Sequence, residues 1–66
     1  MTSLTKQVLI DFWLDREIKH EYKFHAAILV NQGYVEGEIK YDRNNNVGIV
    51  SMLRITQKGL NCLMEK

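Results

Sequence analysis

The hydrophobic positions of this chain change their period twice, from helical to alternating and back. Between Leu4 and Leu14 they recur at helical spacing. Leu4, Val8 and Phe12 share one stripe, Leu9 and Trp13 a second, and Ile10 and Leu14 a third, with Ile18 beside the first. A helix over residues 3–18 follows, started by Thr2, Ser3 or Thr5 as N-cap. Three stripes make its middle apolar nearly all the way round, the mark of a helix buried on more than one side. The charged stretch "DREIKHEY" (Asp15–Tyr22) comes next, and a break is expected near Lys19–His20. A second helix is predicted over residues 21–32. Tyr22, Ala26 and Leu29 fall on one of its faces with His25 beside them, and Phe24 and Ile28 on an adjoining one. Gly33 then stands where a helix C-terminus favours a residue that reaches φ > 0 easily.

From Tyr34 the period becomes two. In "YVEGEIKYD" the residues Val35, Gly37, Ile39 and Tyr41 point one way, and Glu36, Glu38, Lys40 and Asp42 the other. "RNNNVG" supplies a turn, since asparagine tolerates the left-handed region, and "VGIVSMLRI" is the returning strand. The hairpin is predicted over residues 35–54. Thr56 caps a last helix over 57–65, with Leu60, Leu63 and Met64 on its apolar face. Gly59, inside the first turn of that helix, costs about 1 kcal/mol relative to alanine. Either a close approach to neighbouring backbone, that of the first helix, or a tolerated surface position is the expected reason for it. The order helix–helix–β-hairpin–helix is that of an α+β fold and resembles a winged helix with one helix missing, in a single domain over 1–66.

A chain of 66 residues buries only about 60% of the surface its unfolded form exposes. The single cysteine, Cys62, excludes an internal disulfide. His20 and His25 lie off the spacing that places two metal ligands on one helical face, so neither a metal nor a cofactor is expected. Association with a second chain is the remaining route to stability. A homodimer is therefore predicted, with Leu9, Phe12 and Trp13 as interface anchors. The net charge of +1 argues against a strong non-specific nucleic-acid binder. No stretch approaches the roughly 20 apolar residues of a membrane span, and "MTSLTKQ" lacks the features of a signal peptide. A cytoplasmic setting with no membrane partner is expected.

Catalytic chemistry is not legible here. No serine, cysteine and histidine set suggests a nucleophile, and the isolated glycines form no phosphate loop. Glu21 and His25, four apart, read as a surface pair, and Asp11/Asp15 and Glu36/Glu38 as solvated acids. The chain is expected not to be an enzyme.

Two stretches carry a family resemblance. "FHAAILVNQGYVEGEIK" resembles the recognition-helix end and first wing strand of small winged-helix proteins, and "RITQKGLNCLMEK" resembles their closing segment. Together, over residues 22–66, they are similar to the uncharacterised YjcQ-like winged-helix proteins of Gram-positive bacteria and prophages. The helix that normally precedes the recognition helix has no counterpart, and the same region of a second subunit is expected to fill the gap. The resemblance implies a transcription-linked regulator that binds DNA. The second helix would enter the major groove with Lys23, Ala27, Asn31 and Gln32. Lys40, Arg43 and the tip Asn44, Asn45 and Asn46 would hold phosphate or probe the minor groove, with Arg54 and Lys58 adding backbone contacts. Glu36, Glu38 and Asp42 lie among these cations and oppose that reading. The alternative is a protein-interaction module, a small phage or mobile-element effector that docks on a host or viral protein without binding DNA.

Overall fold

A computed structural model describes residues 2–65. Helix α1 (Ser3–Trp13) starts at Thr2, whose hydroxyl accepts the Thr5 N–H at 3.2 Å, so Thr2 is the cap among the three candidates. The helix stops at Trp13 rather than running to residue 18. Asp15 adopts the left-handed conformation, with φ of 58°. Its N–H donates to the Phe12 carbonyl at 3.1 Å, and the Arg16 N–H to the Asp11 carbonyl at 2.8 Å. This bond pair is the Schellman termination, and aspartate is one of the few residues besides glycine that tolerates its geometry. The break therefore falls at Leu14–Asp15, ahead of Lys19–His20. An irregular segment and one 3-10 turn, His20–Tyr22, lead into helix α2 (Lys23–Asn31). No α-helix occupies the place between α1 and α2.

Helix α2 ends by the same device, with Gly33 at φ 80°. The Gly33 N–H reaches the Val30 carbonyl at 3.2 Å and the Tyr34 N–H the Leu29 carbonyl at 2.9 Å. Strands β1 (Val35–Tyr41) and β2 (Val47–Ile55) form a two-stranded antiparallel sheet, pairing Val35 with Ile55, Ile39 with Val50 and Tyr41 with Val47. Gly48 and Leu53 have no opposite number on β1, so β2 carries two bulges, and Leu53 is turned out to solvent. At the hairpin tip the Asp42 carboxylate accepts the N–H groups of Asn44 and Asn46 at 2.8 and 3.0 Å, while Asn45 takes φ 61°.

The core is built on Val8, Leu9, Leu29 and Val35, with Phe12, Ile18, Tyr22, Met52, Ile55 and Leu63 among the residues packed on it. Leu9 is fully buried there. It presents no surface to a second chain, which corrects its assignment as an interface anchor. The early end of α1 explains the shift: the chain turns back at Asp15, brings Ile18 onto the core, and so covers the inner stripes of α1 itself. Trp13, Leu14 and Leu4 stay on the surface.

Helix α3 (Gln57–Met64) is capped by Thr56, whose hydroxyl accepts the Gly59 N–H at 3.1 Å. A Cβ on Gly59 would collide with the carbonyl oxygen of Tyr34 and come within 2.6 Å of Cγ1 of Ile55. The close approach is real, but its partner is the backbone entering β1, not α1. On α3, Leu63 and Cys62 turn towards the core, and Met64 points to solvent instead of completing the apolar face.

Candidate interaction surface

The residues expected to touch DNA do not form one free, polar surface. On α2, the stripe of Lys23, Ala27 and Asn31 is interrupted at its centre, because Ala27 is buried. This corrects its placement in a groove-reading face. The side of α2 that reaches solvent is marked instead by Phe24, 56% exposed, and Ile28, 44% exposed. Lys23 lays its ammonium over the Phe24 ring, 5.4 Å from the centroid. Asn31 and Gln32 are exposed at the end of the helix.

Two of the expected phosphate contacts are engaged within the chain. The Arg54 guanidinium grips both carboxylate oxygens of Glu36 directly across the hairpin, with Nη2 to Oε1 at 3.1 Å. Hydrogen bonding to Arg54, and then its charge, holds the Glu36 carboxyl below its ordinary range, and the same pairing raises Arg54. The Lys58 ammonium donates to the Gln32 carbonyl at 2.7 Å and lies 4.6 Å from the Tyr34 ring centroid. It supplies a cation to the C-terminal end of α2, where the helix dipole favours one.

The hairpin tip keeps Lys40, Arg43, Asn44 and Asn45 exposed. Neither Lys40 nor Arg43 forms a salt bridge among the described residues. Glu38 and Asp42 are exposed beside them, so the tip carries as many acids as bases. Of the proposed interface anchors, Phe12 is half-buried against the core and Trp13 is 54% exposed at the end of α1.

His25 does not pair with Glu21. Its Nδ1 lies 2.9 Å from the Thr5 hydroxyl, which in turn lies 2.8 Å from that of Thr2. This chain satisfies Thr5, the one buried polar side chain among the described residues, and ties the start of α1 to α2. Among the described residues no three His, Cys, Asp or Glu side chains come together as a metal-binding group. No helix among them is long and apolar enough to cross a membrane.

Sequence reasoning located the Phe24–Ile28 face but gave it no role. An apolar pair four apart, set off from the Tyr22–Ala26–Leu29 face, was the available sign that α2 has more hydrophobic surface than one core can cover. The chain matches no family model, no curated protein and no solved structure.

Proposed function

We propose that the chain is a small, non-enzymatic, winged-helix-like regulatory protein that acts in the cytoplasm as a homodimer, and that its α2 face docks on a protein partner. The observation that carries this reading is the exposure of Phe24 and Ile28 on the helix that would otherwise read DNA. A helix entering the major groove needs polar side chains to match base edges and cations to meet phosphate. Two large apolar side chains suit the apolar centre of a protein interface instead. The pairing of Arg54 with Glu36 and of Lys58 with the Gln32 carbonyl counts further against DNA binding.

The test is a photo-crosslinking residue in place of Phe24 in the native host. A discrete adduct that is lost on Ile28→Asp supports docking through this face. No adduct, or one indifferent to Ile28→Asp, overturns it.

DNA binding is the second reading, favoured by Lys40 and Arg43 on the projecting hairpin, neither of which forms a salt bridge among the described residues. Fluorescence anisotropy with a mixed duplex at low salt separates the two. Tight, salt-sensitive binding lost in Lys40→Ala/Arg43→Ala establishes the DNA reading. The absence of binding at low salt removes it.

A further inference from the structure

A groove runs between β2 and the segment that enters α2. Its floor is apolar, made by Ile18, Ala26, Val50 and Met52, and its rim carries Lys19 and Lys23. Its volume is about 220 Å³, below the roughly 300–1,000 Å³ of small-molecule pockets. It has room for one or two large side chains. Glu21, on the 3-10 turn, does not line it.

The same chain exposes a segment of matching chemistry a few residues away. Trp13 and Leu14 are 54% and 46% exposed at the end of α1, and Asp15 and Glu17 follow them, both exposed. Arg16, between those acids, is occupied by Asp11 at 3.6 Å. The free charge of the segment is therefore acidic, opposite to that of the groove rim.

The geometry points to a two-fold dimer in which Trp13 and Leu14 of each chain fill the groove of the other, with Asp15 and Glu17 facing Lys19 and Lys23. The segment adjoins the groove along the chain, Glu17 directly preceding Ile18, and a two-fold axis makes the two contacts of such a dimer equivalent. This dimer rests on the homodimer proposed above and names its surface, which takes Lys23 and Ala26 from α2.

Trp13 is the only tryptophan, so its emission reports the contact directly. Light scattering and fluorescence from about 1 µM to about 1 mM should show the mass doubling as the emission moves to shorter wavelength. Lys19→Glu/Lys23→Glu in one chain, and Glu17→Lys in another, should each weaken self-association at least about tenfold. An equimolar mixture of the two should recover much of it, because one contact of the heterodimer is wild type and in the other the Glu17→Lys charge meets the Lys19→Glu/Lys23→Glu acids. Restoration also shows that both variants are folded. A monomer throughout the range overturns the homodimer and this surface together. A dimer indifferent to the substitutions, or variants whose mixture stays monomeric, overturns this surface alone.

Discussion

Glu36 and Arg54 show how little a residue's charge says about its availability. Both are exposed on the hairpin, yet each is committed to the other through two hydrogen bonds. Because the Glu36 carboxyl is held below its ordinary value of 4.5, its proton uptake is delayed in the folded state. The pairing therefore adds stability that is fully present above that value and is lost as pH falls through the lower folded one. Stability measured from pH 7 to pH 3 should fall less steeply in Glu36→Gln than in wild type. An unchanged acid limb would show that the pair contributes nothing to stability in solution. Salt should shrink the difference, since the pair is solvated.

Helix ends decide the fold at the level of elements. The stop of α1 rests on Asp15 in a left-handed conformation, which glycine adopts freely and branched residues resist. Asp15→Gly should raise the unfolding free energy by about 0.5 kcal/mol, and Asp15→Val should lower it by about 1 kcal/mol or more. Thermal denaturation gives both signs, and a neutral Asp15→Val would mean that the left-handed turn is not the native stop. Gly59 is the stricter case, because a methyl group there meets a backbone carbonyl that cannot rotate aside. Gly59→Ala should cost about 1–3 kcal/mol, a fall in Tm of several degrees or more in a domain this small. A wild-type melting curve for that variant would remove the close-packing account.

These same ends mark what the sequence could and could not disclose. Gly33 and Thr56 were legible because glycine and threonine are strong signs of their positions, and the alternation from Val35 to Tyr41 made the hairpin plain. Asp15 was not, since aspartate is found in left-handed turns only sometimes and the helical stripe ran on past it. The fate of Lys58 was hidden for another reason: its partner, the Gln32 carbonyl, belongs to the backbone and lies 26 positions away. Spacing rules relate side chains on one element and cannot see such a bond.

At the scale of the whole molecule, α2 is held at its far end by residues that come late in the chain. Thr56 donates its N–H to the Tyr34 carbonyl at 3.0 Å and its hydroxyl to the Gly33 carbonyl at 2.6 Å, and Lys58 closes on Gln32. Three successive carbonyls are thus satisfied by a segment that follows the hairpin. During synthesis, which proceeds from the N-terminus, α1, α2 and both strands exist before that clasp can form. Until Thr56 and Lys58 emerge, the Gln32, Gly33 and Tyr34 carbonyls lack these partners. A nascent stretch halted before Thr56 therefore has the turn at Gly33 but no clasp beyond it, and should be cleaved by protease faster than one extended past Lys58.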